Sequence, residues 1–427
     1  MPKLRLDSWK SIADYLERSP RTVQRWHASH GLPVHHFGGC KGSVFAYSPE
    51  IDRWLISLGE ETRGGAADGD VEHETRKRRS LELTARATEM WETHSEENLN
   101  TLAGIYRKAI DQYPGNARAL IGLADTMISA SLEGVMDGSV AYPCATEALR
   151  RAIQLDAQDL DGRCSQAWLN MVYGRRWRQA RVGFEDVLSK QPRMSFALAG
   201  MALLHIAEGD LASASHCAWE AWMQNTLVST LGAIVCWSKY LQGDFERALE
   251  LVAQVRGSGG YGATIGAIEA LALNQAGPIN ASIDRIEAIA AEFPYSQTLQ
   301  GALGYACATA KQNGKALEIY QNLEQPSAQK KPNNAFGRAL VLIGLGNVRQ
   351  AALWLEAAYA EGSLWSLGFG SDPALRRLRG DASFEALLHK IGWPPARPVQ
   401  SLQSVEFMVR PAPGDMGRRS DQNLARA

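Results

Sequence analysis

The 427-residue chain has a formal net charge of −1, with 45% hydrophobic and 21% charged residues, which is ordinary for a soluble globular protein and indicates no polyanionic partner for the molecule as a whole. This length exceeds what one compact core supports, so several domains or a repeat array are expected. The sequence lacks a run of about 18 apolar residues and an apolar leader, so we expect neither a membrane span nor a signal peptide. Six scattered cysteines without a C-x-x-C pair indicate reduced thiols and a cytoplasmic location.

Residues 1–59 are predicted to form a small domain in which a helix, a short turn, a second helix, a hairpin and a third helix follow one another. Asp7 is placed to cap the first helix, and Ser19, which precedes a proline, is placed to cap the second. Gly31 ends the second helix. The apolar residues of segment 32–47 flank a glycine-rich tip, which indicates a two-stranded hairpin.

The second helix has one outward face that carries arginine and glutamine. Arg21, Gln24 and Arg25 share this face, whereas Val23 and Trp26 lie on the opposite, core-facing side. Arginine grips guanine with two hydrogen bonds in the major groove, and glutamine reads adenine. The face therefore predicts contact with double-stranded DNA, and an ordinary solvated helix face is the alternative.

The stretch "LDSWKSIADYLERSPRTVQRWHASHGLPV", followed by "GSVFAYSPEIDRWL", resembles the winged helix-turn-helix of the MerR and excisionase type. The resemblance implies that 20–30 is the recognition helix and that 32–47 is the wing. The DNA-contacting residues that it implies are Arg21, Thr22, Gln24, Arg25 and Lys41. MerR regulators continue into a dimerising coiled coil, which this sequence lacks, so their effector site does not transfer.

A metal site is a second interpretation of the same region, because histidines 27, 30, 35 and 36 lie close to Cys40. Structural zinc usually shows paired ligands at tight, repeated spacing with cysteine prominent, so we expect no metal here. The glycine-rich segment 257–266 lacks the preceding strand and the lysine of a phosphate-binding loop, and we expect no cofactor. The sequence also lacks a recognisable catalytic motif, and it predicts that the chain is not an enzyme.

Two segments have the composition of unstructured chain. Residues 60–79 are rich in glycine and charge, which predicts a flexible linker. Residues 394–427 are polar and proline-rich, which predicts a disordered tail.

The region 80–393 is periodic. A small residue recurs at intervals of 34 or 35 residues, and the residue four positions after it is apolar in every copy. The small positions are Ala145, Ala180, Ala214, Ala248, Ser282, Ala316 and Ala351. An earlier copy has Leu102 at this position, and the wider gap after it indicates an insertion near 130–143.

This pattern resembles the tetratricopeptide repeat, or TPR. It implies a mainly α protein in which about eight helix pairs stack into a solenoid, because one pair cannot bury its own apolar faces. An irregular helical bundle is the alternative. The family's concave groove would be lined by Leu169, Leu203, Trp237, Tyr240, Leu271 and Tyr305. The alternative for these six residues is that they pack between tightly wound repeats.

Taken together, these patterns predict a cytoplasmic, bacterial-type transcription regulator that binds DNA through residues 1–59. Its solenoid would bind a protein or peptide in the groove, or would form a homodimer, because the N-terminal domain has no dimerising element of its own. The alternative is a TPR interaction scaffold whose N-terminal domain binds protein, or binds DNA without sequence specificity.

Overall fold

The computed structural model describes residues 4–16, 18–36, 44–91, 98–133, 135–324 and 335–392, and for 56–70 it describes the backbone alone. Within these ranges the chain forms a small N-terminal unit, a long helical-repeat array and a short C-terminal segment. None of the helices in these ranges is both long and apolar enough to span a bilayer. The disordered tail predicted for 394–427 lies outside the described residues.

The N-terminal unit combines two short helices with a three-stranded sheet. Its elements are β1 (Arg5–Leu6), α1 (Trp9–Tyr15), α2 (Pro20–His30), β2 (His35–His36), β3 (Val44–Tyr47) and the start of α3 (Ser48–Trp91). The strand order is β1-β3-β2 and both pairings are antiparallel, with Arg5 opposite Tyr47 and His35 opposite Phe45. The predicted helix, turn, helix and hairpin are present. The two-residue strand β1 was not predicted, because it is too short to show an alternating pattern.

The helix ends follow the predicted signals with one correction. Ser19 accepts a hydrogen bond from the Thr22 N–H, and Gly31 ends α2 at a φ of 61°. The first helix is capped by Ser8 and not by Asp7. The Asp7 carboxylate instead forms an ion pair with Arg5, 2.6 Å away on β1.

The core of the N-terminal unit joins both helices to the sheet. Ile12 and Val23 are fully buried between α1 and α2, and Trp54 donates from its indole to the His30 carbonyl over 2.8 Å. The further buried apolar residues of this core are Leu6, Ala13, Leu32, Val44, Ala46 and Ile51. The exposed face of α2 is therefore held in place by core residues from β1, α1, β3 and the start of α3.

Helix α3 runs through the segment for which a linker was predicted. Arg76 donates to the Asp111 carbonyl at 3.1 Å, and the rings of His73 and Tyr113 lie 5.7 Å apart. The array therefore begins by residue 73 and not at residue 80.

The composition of α3 hides this packing because two of its buried positions, Ser80 and Thr84, are polar. Asn116 donates from its amide nitrogen to both Ser80 Oγ and Thr84 Oγ1, each over 2.9 Å. Both hydroxyls are buried and also donate to backbone carbonyls. Buried hydroxyls with hydrogen-bond partners are tolerated in a helix interface, but they leave no apolar stripe in the sequence.

The rest of the array consists of paired helices. They are α4 (Leu99–Gln112), α5 (Ala117–Leu132), α6 (Gly138–Leu155), α7 (Leu160–Val172), α8 (Trp177–Lys190), α9 (Ser195–Ala207), α10 (Leu211–Gln224), α11 (Ser229–Gln242), α12 (Phe245–Gly257), α13 (Ala263–Ala276), α14 (Ile279–Glu292), α15 (Gln297–Thr309), α16 (Asn313–Glu324), α17 (Ala335–Gly344) and α18 (Val348–Ala360). With the end of α3 paired to α4, the described ranges contain the eight pairs expected from the period.

The burial pattern confirms the 34-residue period. Of the aligned small residues, every alanine is fully buried, and Ser282 is half-buried. The apolar residues four positions later are buried in every copy. Helices α5 and α6 have 16 and 18 residues, so the predicted insertion lengthens this one pair.

A C-terminal segment follows the last pair and turns back onto the array. It contains two 3-10 turns, Leu364–Gly368 and Pro373–Leu378, followed by α19 (Ala382–Ile391). The two turns contact α9, α13 and α17, which are first helices of their pairs, and they also contact α18.

Candidate functional site

The exposed face of α2 has the composition predicted from the sequence. Arg21, Gln24 and Arg25 are exposed, Val23 is fully buried, and Trp26 is half-buried against the Trp54 ring at 5.7 Å. Within the described part of the chain, neither the Arg21 nor the Arg25 guanidinium forms an ion pair. The face is therefore a rigid helical surface with two cations available to a partner.

The other two predicted DNA contacts have different outcomes. The Thr22 hydroxyl is half-buried and shares a 2.8 Å hydrogen bond with Ser19 Oγ, so that it belongs to the cap of α2. Lys41 lies outside the described residues. The strands that flank it, β2 and β3, pair as a hairpin beside α2.

The histidines of this unit have protein partners. His27 Nδ1 lies 2.8 Å from the Leu32 carbonyl, and His35 Nε2 lies 2.7 Å from a Glu50 carboxylate oxygen. His30 Nδ1 lies 2.6 Å from Ser29 Oγ. Among the described residues no set of three or more His, Cys, Asp and Glu side chains is arranged to hold a metal ion, and Cys40 is outside them.

The predicted peptide groove is not an open surface. All six of its residues, Leu169, Leu203, Trp237, Tyr240, Leu271 and Tyr305, are buried. The structure corrects the prediction and agrees with the alternative, in which these residues pack inside the array.

The C-terminal segment explains part of this burial. The ring of Trp365 lies edge-on to Trp237 at 5.4 Å and stacks on Phe336 at the same distance. The buried Tyr240 hydroxyl donates to Asp372 Oδ1 over 2.6 Å. Residues 364–378 therefore cover the inner side of α11 and α17, where the repeat pattern alone leaves a groove.

A second long-range contact links two distant repeats of the array. The Arg175 guanidinium lies 3.6 Å from the centre of the Tyr359 ring and donates to the Tyr359 carbonyl. This contact joins the α7–α8 turn to α18, so that an early and a late repeat touch.

A cavity of about 170 Å³ lies between the end of α3 and the helices α4, α5, α7 and α9, and Thr230 of α11 also lines it. Its aromatic wall is formed by Trp91, Trp168 and Phe196. The rings of Trp91 and Phe196 stack at 5.7 Å, and the Trp168 indole donates to the Phe196 carbonyl over 3.0 Å. These contacts fix the wall, because each ring is held by a neighbour.

The lining of the cavity also contains charged residues. They are Asp125, Asp161 and Arg118, and of these Asp161 and Arg118 are exposed. Ser165 Oγ donates to Asp125 Oδ1 over 2.5 Å. Burial, with the nearby Asp161 and Asp159 carboxylates, raises the pKa of Asp125 to about 7 against the opposing effect of this hydrogen bond.

The pKa of Asp161 is also raised above its ordinary value. Partial burial and repulsion by the Asp159 carboxylate raise it, while attraction to Arg118 lowers it. The positive charge of Arg118 therefore stabilises the Asp161 carboxylate at the mouth of the cavity. The Asp125 carboxylate, farther inside, accepts a hydrogen bond from the neutral Ser165 hydroxyl.

The repeat pattern does not indicate this cavity. Asp125 is the one acidic residue of α5, within the largely apolar run "ALIGLADTMISA", and a lone carboxylate on a buried helix face was the available signal. The cavity itself needs the spacing of six helices, which the repeat pattern does not specify.

No protein-family model and no curated protein sequence matches the chain. Solved structures with similar folds include the Cut9–Hcn1 anaphase-promoting complex tetramer, with 13% identity, a TM-score of 0.46, and coverage of 72% of this chain and 62% of that one. A tetratricopeptide repeat protein from Parabacteroides merdae has 13% identity, a TM-score of 0.41 and coverage of 63% and 98%.

The type IV pilus biogenesis factor PilW has 16% identity, a TM-score of 0.38 and coverage of 52% and 98%. All three TM-scores lie below 0.5. The assignment of a tetratricopeptide-type array therefore rests on the 34-residue period of this chain and on the helix pairs that follow it.

Proposed function

We propose that the helical array is a protein-binding scaffold and that its binding site is the cavity between α3, α5, α7 and α9. The observation that carries this proposal is a cavity of about 170 Å³ with a fixed aromatic wall, an exposed carboxylate at Asp161 and a less exposed one at Asp125. Farther along the array, residues 364–378 cover the inner side. None of these residues lines the cavity, so this segment leaves it uncovered.

A selection of random dodecapeptides on the full-length protein tests the scaffold proposal. Thr88 lines the cavity, and Thr88→Phe places a ring inside it. Peptides selected on the wild type are expected to lose at least about tenfold in affinity for this variant, because a filled pocket cannot accept an anchor side chain. Affinities are measured by isothermal titration calorimetry.

Thr75→Phe is the matched control. Thr75 lies on the same helix, makes the same hydroxyl bond to the carbonyl four residues back, and is exposed. Equal affinity of the selected peptides for the wild type and for Thr88→Phe would contradict the cavity as the binding site.

We further propose, as a second function, that the N-terminal unit is a winged helix-turn-helix that binds double-stranded DNA. The face of α2 with Arg21, Gln24 and Arg25 supports it, because exposed arginines without ion pairs fit a polyanion. The helix–turn–helix and the adjoining hairpin also match the order of elements in such domains. Together the two proposals describe a DNA-binding regulator, and a scaffold without specific DNA binding is the alternative.

The DNA proposal predicts a loss of affinity for Arg25→Ala. Sites enriched from a random DNA pool are expected to bind this variant about 1–3 kcal/mol more weakly than the wild type, because one base-contacting guanidinium is removed. Fluorescence anisotropy with a labelled duplex measures the difference. Arg53→Ala is the control, since Arg53 is an exposed cation on α3 outside the α2 face. A folded Arg25→Ala protein with wild-type DNA affinity would argue against the proposal.

The proposal also includes three properties expected from the sequence. These are the absence of enzymatic activity, a cytoplasmic location and a homodimer formed through the repeats. Light scattering on the full-length protein tests the homodimer.

A further inference from the structure

We infer that the cavity binds a basic side chain, a lysine or an arginine of the partner protein. This inference rests on the proposed scaffold function and names the chemistry of its ligand. It follows from three features of the cavity: the surroundings of its inner carboxylate, its aromatic wall and its volume.

Among the described residues, the inner carboxylate, Asp125, forms no ion pair. Ser165 donates a hydrogen bond to it and reaches one of the two carboxylate oxygens. Burial and the Asp161 and Asp159 carboxylates raise its pKa. A buried carboxylate with one neutral hydrogen bond is poorly compensated, and an incoming cation supplies what the protein does not.

The aromatic wall favours the same ligand. The rings of Trp91, Trp168 and Phe196 line the same cavity as the carboxylates. A guanidinium or ammonium group is attracted to the face of an aromatic ring, most strongly to tryptophan, and the attraction increases when the cation is desolvated. The stem of an arginine or lysine is apolar and packs well against such rings.

The volume restricts the ligand to a single side chain. A cavity of about 150 Å³ admits benzene, and this one has about 170 Å³. The Arg118 side chain is exposed at the mouth of the cavity. Its guanidinium therefore does not occupy the interior, which stays open to a cation. The competing ligand is an acidic group that pairs with Arg118, and the experiment below distinguishes the two.

The dodecapeptide selection tests this inference through the composition of the peptides that need the cavity. We expect one lysine or arginine at a fixed position in them. Replacing that residue in the peptide by its neutral analogue, norleucine or citrulline, is expected to lower the affinity at least tenfold. Asp125→Asn is expected to cause a similar loss and to abolish the difference between the two peptides, as in a double-mutant cycle.

Two controls accompany Asp125→Asn. Glu147→Gln removes an exposed carboxylate on α6 that pairs with Arg150, and it is expected to leave both affinities unchanged. Thermal unfolding shows whether each variant is folded, and Asn keeps an acceptor for Ser165.

The possible failures are distinguishable. Cavity-dependent peptides with an acidic or neutral anchor would overturn the basic-side-chain inference and leave the scaffold proposal intact. Retention of the basic-peptide preference by a folded Asp125→Asn protein would also overturn the inference. If no selected peptide depends on the cavity, both proposals fail.

Discussion

Gly337→Ala is expected to lower the free energy of unfolding of the array by about 2–3 kcal/mol, because α15 and α17 touch through their backbones. A Cβ atom at Gly337 would lie 2.3 Å from the carbonyl oxygen of Gln297, and one at Gly301 would lie 2.3 Å from the Gly337 Cα. The obstructing atoms belong to the backbone and cannot move by changing rotamer. The two helices must separate, and the loss is measured by urea denaturation followed by circular dichroism.

Gly104→Ala provides the contrasting control. Gly104 lies inside α4, and no atom outside its immediate neighbourhood comes within 4 Å of an added Cβ. This variant is expected to be more stable than the wild type by about 0.5–1 kcal/mol, because alanine loses less backbone entropy in a helix than glycine. Equal denaturation midpoints for the two alanine variants would show that the contact between α15 and α17 is looser than described.

Asp125→Asn is expected to stabilise the protein by about 2–4 kcal/mol above pH 7 and to have little effect near pH 4. The folded pKa of Asp125, about 7, lies above the ordinary value of 3.8. A carboxyl group with a raised folded pKa contributes its full stability below the unfolded pKa and loses that contribution as the pH rises through the folded pKa. The asparagine side chain carries no charge and does not lose stability in this window.

The measurement is the difference in unfolding free energy between the two proteins at pH 4, 6 and 8. Both retain Asp159, Asp161 and Arg118, so that the difference isolates the Asp125 carboxyl. A difference that is constant across this range would contradict the raised pKa.

This expectation links stability to the proposed binding site. A carboxylate that is held inside the cavity at a cost to folding is typical of a residue retained for function. Asp125→Asn is thus expected to give a more stable protein that has lost its preference for basic peptides, and the two measurements are independent.

The repeat architecture was determined by the sequence itself. Positions 145, 180, 214, 248, 316 and 351 carry alanines that are fully buried, and a helix pair surrounds each of them. This was predictable because contacts within a pair and between neighbouring pairs are local, and one small residue per period sets how closely the helices approach. The caps at Ser19 and Gly31 were predictable for the same reason, since they involve hydrogen bonds within one turn.

The tertiary structure alone decided which surfaces of the array are open. Trp237 and Tyr240 fit the sequence pattern of a groove, but Trp365 and Asp372, more than 120 residues later, cover them. The repeat pattern does not predict such a contact, because the C-terminal segment lies outside the repeats and meets α11 only in the folded array. The cavity around Asp125 has the same origin: its walls come from six helices, and their distances follow from packing that no single repeat specifies.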